Sequence, residues 1–528
     1  MRAGAIPLLL LFAAVGIGYG TALRNDLVWD DRIHILESPA VREARFAEIA
    51  TRPVGSYYRP VVFASFAVEA RAGASPALFH ATNLVLHALA ASLLLAAARA
   101  LGAPRGAALG GALLFALHPV NSEAVLYVSG RTDVLGAALA LAALWLHARV
   151  SGWRGPPAPA GARPGAALCF ALARPGAALC FALALGCKES LAVLPVALAA
   201  GDRIFGPARP GALRRLWPYA LVLAAYAGWR AVLAGPGLAI GGSGGLAARL
   251  AAALAALADY ARLLVLPVGL HLERFASHEP AWRPLAGLLV LAAGATAAWR
   301  AQPAIRFWMA WAAIAYLPTS NLVPVYPGLP AGIVFAPEHF LYLPSSGLSM
   351  ALALAAAPRL PPRAAAAGLA ALSLAFAALL QQRARDWRDE ETLYTHTLAR
   401  VPESARVRLN LGNLLLSRGE VERAAAEFEA GLAYHPDDAA LLTNAGLAWL
   451  ALGRFEAGEG ALRRAVAANP RDAQPFANLG ALYGTTGRWD EARRAYAEAL
   501  ARDPGNADAR AGLRILDEIR IPPGSEAE

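Results

Sequence analysis

Apolar stretches of about 20 residues recur through the first 381 positions, and this recurrence constrains the fold more than any other feature of the sequence. A helix of that length crosses the hydrocarbon core of a bilayer, and a chain with 57% hydrophobic and 16% charged residues is too apolar for a soluble globule. The predicted crossings are 4–23, 79–101, 106–119, 132–150, 165–186, 189–201, 215–235, 283–299, 305–320, 339–357 and 364–381. The sequence therefore predicts an all-α, polytopic membrane domain over residues 1–381, with eleven spans.

The basic residues indicate how this domain is oriented. Arginines cluster in short loops on the same side as Arg2, which the positive-inside rule assigns to the cytoplasm, and this accounts for the net charge of +10 without nucleic acid. The first span is predicted to be retained rather than cleaved as a signal peptide. If the apolar stretch 245–268 crossed the bilayer, every later loop would be inverted, so we predict an interfacial or re-entrant helix there. The outer side then holds the loops 24–78, 119–131, 269–282 and 321–338 and everything after 381.

The tail after residue 381 is charged and repeats itself with a period of 34 residues. The residues at this spacing are Pro402, Pro436, Pro470 and Pro504, then Gly412, Gly446 and Gly480, and then Asn410, Asn444 and Asn478. This pattern is typical of tetratricopeptide repeats, whose helix pairs stack into a solenoid with a concave groove. We predict a linker and half repeat over 382–404, repeats at 405–438, 439–472 and 473–506, a capping helix to 519 and a disordered tail over 520–528.

The most distinctive polar group follows directly after the first span. It is the pair Asp30 and Asp31, within the run Asn25–Ile35. Interfacial anchors are normally Trp, Tyr, Lys and Arg, so an acidic pair at this edge is better suited to accepting a proton from a substrate. A solvated turn is the alternative interpretation. Other ionisable residues at the ends of spans favour the catalytic interpretation of the pair. Such residues cost free energy in or near a bilayer and tend to mark functional sites.

Further polar residues lie at the outer ends of other spans. The candidates for the substrate site are His80, His118, Glu123, Asp133, Glu189, Glu338, His339 and Tyr342. Stabilisation of a helix N-terminus accounts equally well for Glu123 and Glu338. The sequence leaves both interpretations open for them.

Lys188 is the only lysine in the sequence. A compact ammonium suits close contact with a phosphate as a point charge, a task that differs from the bidentate binding of arginine. An internal ion pair with Glu189 or another acid is the alternative. We predict that Lys188 binds a phosphate, with Arg59 or Arg131 assisting.

Together these motifs resemble those of the transmembrane and tetratricopeptide-repeat (TMTC) proteins. The matching stretches are Trp29-Asp30-Asp31, Tyr58-Arg59-Pro60, Phe79-His80 with Asn83 and His87, His118-Pro119 with Glu123, Gly130-Arg131 with Asp133, Lys188-Glu189, the run from Glu338 to Ser345 and the lead-in from Asp386 to Glu390. The resemblance covers nearly the whole chain. It implies a GT-C-like glycosyltransferase similar to protein O-mannosyltransferases, with a polyprenyl-phosphate-linked sugar donor and with Asp30 or Asp31 matching the catalytic acidic pair. His339 stands where the family usually has Arg.

The expected reaction is a single inverting displacement on the outer side of the membrane. One aspartate of the pair, with Asp30 preferred, accepts the proton of the attacking hydroxyl, while Lys188 with Arg59 or Arg131 stabilises the departing phosphate. Phosphate is a good leaving group, so this chemistry needs one base and positive charge rather than the two carboxylates of glycoside hydrolysis.

The expected partners are a polyprenyl-phosphate-linked mannose or other hexose, a protein or peptide acceptor held by the repeats, and membrane lipid. The Ala- and Arg-rich composition indicates a bacterial inner membrane, with the catalytic loop and repeats facing the periplasm or exterior. No cofactor is implied, and a need for a divalent metal stays open.

The alternative function is a non-enzymatic scaffold in which the membrane part anchors the repeats, but anchoring needs only one helix. A transporter would carry its polar groups near the bilayer midplane rather than at one edge.

Overall fold

The computed structural model describes residues 2–151, 153, 164–205, 215–234, 245–323 and 333–518. It divides into two compact units, residues 1–389 and 390–528, which are described separately below. The predicted all-α class is confirmed, since the described residues are mostly helical and their strands form one small sheet. The predicted disordered tail over 520–528, and the loops at 154–163, 206–214 and 235–244, lie outside the described residues.

The first unit is built from membrane-length helices joined by short helices at their ends. Its α-helices are α1 (Arg2–Tyr19), α2 (Pro39–Arg42), α3 (Phe46–Thr51), α4 (Pro60–Arg71), α5 (Pro76–Ala100), α6 (Arg105–Leu117), α7 (Ser122–Leu126), α8 (Arg131–Ser151), α9 (Pro164–Leu185), α10 (Leu194–Phe205), α11 (Trp217–Ala234), α12 (Leu246–Val265), α13 (Trp282–Arg300), α14 (Pro303–Tyr316), α15 (Tyr342–Ala356) and α16 (Pro362–Asp386). Every predicted crossing overlaps one of these helices, although the one predicted at 189–201 meets α10 only from Leu194.

Five helices among the described residues are long and apolar enough to cross a membrane, namely α1, α5, α8, α15 and α16. The segments 105–117 and 119–126 pass the same test together as a pair bent by 50°. Of the other predicted crossings, α10 has 12 residues and α14 has 14, while α11 with 18 and α13 with 19 are not among the five. The total of eleven crossings therefore stays a prediction.

Two glycines allow close packing between these helices. A Cβ atom added to Gly287 of α13 would lie 1.8 Å from the carbonyl oxygen of Leu254 in α12. A Cβ atom on Gly347 of α15 would lie 2.5 Å from the carbonyl oxygen of Trp308 in α14. Small residues at such crossings let membrane helices approach backbone to backbone. The apolar stretch 245–268, predicted to be interfacial or re-entrant, thus forms a 20-residue helix packed directly on α13.

Short elements join the loops that the sequence assigned to one side. Strand β1 (Phe275–Ser277) pairs antiparallel with β2 (Ile333–Phe335), with Ala276 opposite Val334. The Asn321 side-chain amide also donates to the Phe335 carbonyl at 2.9 Å. The loops 269–282 and 321–338, predicted to lie on the same side, therefore contact each other in the structure.

The second unit is a stack of helix pairs. Its helices are α17 (Glu390–Leu398), α18 (Ala405–Ser417), α19 (Val421–Tyr434), α20 (Ala439–Ala451), α21 (Phe455–Ala468), α22 (Gln474–Thr485), α23 (Trp489–Arg502) and α24 (Ala507–Glu518). The small residue in each first helix makes room for a bulky side chain of the second, as Gly412 does for Phe428 and Gly480 for Tyr496. The turn inside each pair has a glycine with positive φ, such as Gly453 at 74°. The 34-residue period therefore forms tetratricopeptide helix pairs.

Candidate active site

Asp31 is fully buried and holds two backbone segments together. One carboxylate oxygen accepts from the backbone N–H of Val28 at 3.2 Å, and the other accepts from the backbone N–H of Ser129 at 2.7 Å. Burial raises the pKa of Asp31 to about 7, because these N–H groups offset only part of the cost of desolvating the charge. Its contacts fix the loop after α1 to the segment before α8.

Asp30 differs from its neighbour because it is only half-buried. Its carboxylate accepts a hydrogen bond from the hydroxyl of Tyr127. Trp29, directly before it, has a φ of 58°, which is rare for a bulky residue and turns the chain sharply here. At this turn Asp31 is buried, whereas Asp30 directly before it stays accessible.

His34 lies beside Asp30 and was missing from the sequence-based candidates. Its ring nitrogen Nδ1 is 3.3 Å from the Ser129 hydroxyl, and its ring packs edge-on against Tyr57 and Phe63. Burial lowers the pKa of His34, the negative charge of Asp30 opposes this, and the positive charge of Arg59 adds to it. Burial therefore favours the neutral form of the imidazole next to the half-buried Asp30 carboxylate.

Lys188 forms the second charged group of the site. Its Nζ donates to Asp133 at 2.6 Å and lies 5.6 Å from the centre of the Phe340 ring. The next residue, Glu189, is 3.7 Å from the guanidinium of Arg59, which also stacks on Tyr57. Lys188 thus has the ion-pair partner that the structural alternative required, and that partner is Asp133 rather than Glu189.

One short segment connects the aspartates with the lysine. Ser129 bonds Asp31 and approaches His34, while Asp133, four residues later, bonds Lys188. Four residues span about 6 Å along a helix axis. The structure therefore brings the predicted base and the predicted phosphate ligand to the same end of α8.

Arg131 lies within that segment but points into the interior. It is fully buried, and its side chain donates to Asn83 at 2.8 Å, to Ser65 at 3.1 Å, to Glu69 at 2.8 Å and to the carbonyl of Phe79 at 3.0 Å. Four partners occupy the guanidinium, which also lies over the Phe66 ring. This geometry favours a structural role for Arg131 over the predicted contact with phosphate.

Three other candidates also bond to groups within the fold. His80 approaches the Asp26 carbonyl at 3.3 Å, and His118 donates to the Leu264 carbonyl at 3.0 Å. The hydroxyl of Tyr342 donates to His87 at 2.6 Å, since the other ring nitrogen of that histidine donates to a carbonyl. The His80 contact joins α5 to the loop after α1, the His118 contact reaches α12, the Tyr342 contact joins α5 to α15, and all three side chains are buried.

Glu123, His339 and Glu338 form a second polar group around α7 and the start of α15. Glu123 accepts from the His339 ring at 2.8 Å and from its backbone N–H at 3.0 Å. Glu338 is fully buried, accepts from the His271 backbone at 2.8 Å and pairs with Arg274 at 3.1 Å and Arg383 at 3.6 Å. Glu338 thus ties the loop 269–282 to the end of α16.

A cleft opens at Lys188 and continues into an apolar groove. Thr132, Asp133, Lys188, Thr319 and Phe340 are among the residues that line the cleft. The groove beyond is lined by apolar side chains of α8, α10, α14 and α15. Leu191, Ala315 and Leu343 line both cavities. Both are small, with about 20 Å³ of free volume in the cleft and about 10 Å³ in the groove. A polar cleft beside apolar side chains is the arrangement that suits an amphipathic ligand.

Five residues that make the contacts described above were not among the sequence-based candidates. They are His34, Tyr127, Glu69, Arg274 and Arg383. His34 follows Asp30 by one helical turn, so its spacing was a usable signal. The partners of Arg131 and Glu338 lie 48 or more and 45 or more residues away, and no local spacing reveals them. Within the described ranges, no group of three or more His, Cys, Asp or Glu side chains could hold a metal ion.

Comparisons with known proteins identify tetratricopeptide repeats in this chain. A tetratricopeptide-repeat family model matches residues 377–430 and 409–473, and a second such model matches 473–506. Among solved structures, the first tetratricopeptide domain of human RPAP3 is 26% identical, with a TM-score of 0.22, over 22% of this chain and 92% of that one.

Among curated proteins, the chain is similar to the protein O-mannosyl-transferase TMTC1 of Mus musculus, 36% identical over 165 residues, and to that of Homo sapiens, 33% identical over 154 residues. These matches cover 28% and 26% of this chain and 18% of each relative. A protein O-mannosyl-transferase of Caenorhabditis elegans is 29% identical over 28% of this chain and 23% of its own length. The chain thus spans about a fifth of the length of the curated relatives that it matches.

Proposed function

We infer, because the chain is a TMTC-like tetratricopeptide-repeat protein, that it is an integral membrane glycosyltransferase. It moves a hexose such as mannose from a polyprenyl-phosphate carrier to a hydroxyl group of a protein. The reaction takes place on the outer side of a bacterial inner membrane. The observation that carries the proposal is that Asp31 of the acidic pair bonds the backbone of Ser129, while Lys188, the only lysine in the sequence, bonds Asp133 four residues later at the start of α8.

Asp30 is the base in this mechanism. Its carboxylate accepts the proton of the acceptor hydroxyl as that oxygen forms a bond to the anomeric carbon. Asp31 is buried and bonded to two backbone N–H groups, so it positions the loop and does not meet the substrate. The accessible neighbour is therefore preferred for the chemical role.

Lys188 and Arg59 act on the leaving group. The bond between the anomeric carbon and the phosphate oxygen breaks, and the carrier departs as a phosphate anion that these two cations stabilise. Asp133 holds the Lys188 ammonium at 2.6 Å and leaves two of its N–H groups for a ligand. No proton needs to be delivered to the phosphate, so a second carboxylic acid is not required.

In this proposal the carrier lies along the apolar groove next to Lys188, which has about 10 Å³ of free volume and must widen to admit it. With the phosphate beside the ammonium, the first isoprene units lie along Leu191, Ala315 and Leu343. Burial of each isoprenoid methylene is favourable by roughly 0.8 kcal/mol, which supplies affinity that a free sugar phosphate lacks. The repeats of the second unit bind the acceptor protein.

The test compares two aspartates of the same loop. Purified protein in lipid is supplied with a short-chain polyprenyl-phosphate hexose labelled in the sugar and with a Ser/Thr peptide. We expect Asp30→Asn to lower transfer by about 10³-fold because the general base is lost. The matched control is Asp26→Asn, whose exposed side chain should leave transfer unchanged. Full activity of Asp30→Asn would show that Asp30 is not the base. Absence of transfer by the unaltered protein would refute the proposed glycosyltransferase activity.

A further inference from the structure

The residues Asp386-Trp387-Arg388, part of the lead-in to the repeats, have no role in the mechanism above. Trp387 directly follows α16 and is fully buried. Its indole lies beside the ring of Tyr127, with 5.8 Å between the ring centres and 33° between the planes, a favourable aromatic pair. The hydroxyl of the same Tyr127 donates to the Asp30 carboxylate. Trp387 therefore contacts the direct partner of the proposed base.

Two hydrogen bonds attach the start of the aspartate loop to the same end of α16. The backbone N–H of Asp26 donates to the carbonyl of Arg388 at 2.9 Å. The side-chain amide of Asn25, which is buried, donates to the carbonyl of Ala384 at 2.9 Å. The loop that carries Asp30 and the indole that packs on Tyr127 are therefore held at one helix end.

The backbone of Tyr127 is held by a third helix. The side-chain amide of Asn83 in α5 donates to the carbonyls of Tyr127 at 3.1 Å and Val128 at 3.2 Å. The oxygen of the same amide accepts from Arg131 at 2.8 Å. Tyr127 is thus held at its backbone by α5, at its ring by Trp387 and at its hydroxyl by Asp30.

We propose that Tyr127 is a positioning residue for the base Asp30, and that Trp387 holds the Tyr127 ring in the orientation that this requires. A hydroxyl group donated to one carboxylate oxygen orients the carboxylate and leaves its other lone pairs for the acceptor hydroxyl. The same bond favours the ionised carboxylate, which is the form that accepts a proton. This inference rests on the proposed function, since it takes Asp30 as the base.

The phenol of Tyr127 remains a hydrogen-bond donor between about pH 4 and pH 9. Desolvation raises the pKa of Tyr127 well above its usual value, and the negative charges of Asp30 and Asp31 add to this. The other charged or titratable groups on the surrounding elements are Asp26, His34, Arg59, His80, Arg131 and Arg383. A substitution of Tyr127 keeps all of these groups, so a change in pH dependence reports the lost phenol.

The first test follows sugar transfer by the purified protein in lipid as a function of pH. Tyr127→Phe keeps the ring and removes the hydroxyl. We expect the acid-side fall of kcat/KM to move to higher pH by about one unit, because the protonated carboxylic acid is no longer disfavoured by the phenol. Activity should drop about tenfold on the acid limb and change little at about pH 8. A tyrosine that only supports the fold would lower activity equally at every pH.

Tyr19→Phe is the matched control. Tyr19 is fully buried, and within the described residues its hydroxyl has no hydrogen-bond partner. Its removal should leave the pH profile unchanged. An unshifted acid limb in Tyr127→Phe, or an equal shift in Tyr19→Phe, would overturn the proposal.

Trp387 is tested by the separate values of kcat and KM. Trp387→Leu keeps an apolar side chain and removes the aromatic contact, so kcat should fall by up to about 100-fold, the effect of a misplaced catalytic group, at unchanged KM for both substrates. Trp387→Phe keeps a ring and should recover most of this loss. In a Tyr127→Phe background, Trp387→Leu should not move the acid limb further, because the two residues act through one contact. Equal losses in both backgrounds with reduced stability would assign Trp387 to the fold alone.

An infrared titration distinguishes this proposal from the proposed function, because it needs no substrate. The carboxyl band that is present in the unaltered protein and missing from Asp30→Asn reports the protonation of Asp30. Its midpoint should move to higher pH by about one unit in Tyr127→Phe and stay in place in Tyr19→Phe. This shift without any sugar transfer would leave the assignment of Tyr127 standing and refute the enzyme. Transfer by a Tyr127→Phe protein with an unshifted band would refute the assignment and leave the enzyme.

Discussion

Arg131 and Asp133 lie two residues apart on α8, yet Arg131 points into the interior whereas Asp133 bonds Lys188 in a cleft, so the two basic side chains have opposite environments. Arg131 is fully buried and meets four protein partners, including Glu69 at 2.8 Å. Lys188, among the described residues, bonds only Asp133 and keeps part of its surface in a cleft. A saturated cation, by which we mean one whose N–H groups are all bonded to protein groups, stabilises the fold. A cation that keeps free N–H groups is available to a ligand.

The two adjacent aspartates show the same contrast. Asp31 is enclosed with both oxygens on backbone N–H groups, and Asp30 is half-exposed and accepts from the phenol of Tyr127. Residue type therefore does not distinguish the residues that stabilise the fold from those proposed to act on the substrate. The number of protein partners does, and the following predictions test that criterion.

The largest effect is expected at Arg131. Removing one partner of a buried ion pair leaves the other charge unpaired, so Arg131→Ala should lower the free energy of unfolding by about 3–5 kcal/mol. Arg131→Lys should restore little, because an ammonium cannot reach all four partners. Denaturation followed by tryptophan fluorescence in detergent measures this. An Arg131→Ala protein of normal stability that has lost only use of the sugar donor would assign Arg131 to the phosphate site instead.

Asp31 should show its buried state as a dependence of stability on pH. Its pKa rises from about 4 in the unfolded chain to about 7 in the folded protein, so its contribution is complete below pH 4 and declines as pH rises to 7. The decline amounts to at most about 4 kcal/mol. Asp31→Asn cannot ionise and should gain stability relative to the unaltered protein between pH 5 and 8. Parallel stability curves for the two proteins would mean that the Asp31 carboxylate is already ionised at pH 5.

Lys188 should affect the reaction and leave the fold intact. Lys188→Ala is expected to reduce kcat/KM for the polyprenyl-phosphate sugar by about 100-fold, the usual cost of losing one group that stabilises a developing charge. The KM for the acceptor peptide and the unfolding curve should change little. Equal losses for both substrates, together with reduced stability, would place Lys188 with Arg131 among the saturated cations.

Local patterns in the sequence predict the elements better than they predict the contacts. The 34-residue period places the helix pairs of the second unit, because each repeat folds through contacts within itself and with its neighbours. The distinction between Asp30 and Asp31 depends on Ser129, 98 positions away from Asp31. The burial of Arg131 depends on Glu69 and Asn83, which are 62 and 48 positions away. Such pairings arise from helix packing, and a single sequence contains no local signal of them.

Glu123 gives the smallest expected effect and the sharpest test of the criterion. It is buried and accepts from both the ring and the backbone of His339, so the number of its partners classes it with Arg131. Glu123→Gln keeps one acceptor oxygen and loses the charge-assisted bond, and we expect a loss of about 1 kcal/mol in unfolding free energy with an unchanged transfer rate. His339→Ala is the companion variant, and its effect should not add to that of Glu123→Gln, because the two residues share one interaction. A drop in transfer rate with normal stability in either variant would show that a saturated pair can still belong to the substrate site, and partner number alone would then fail to separate the two classes.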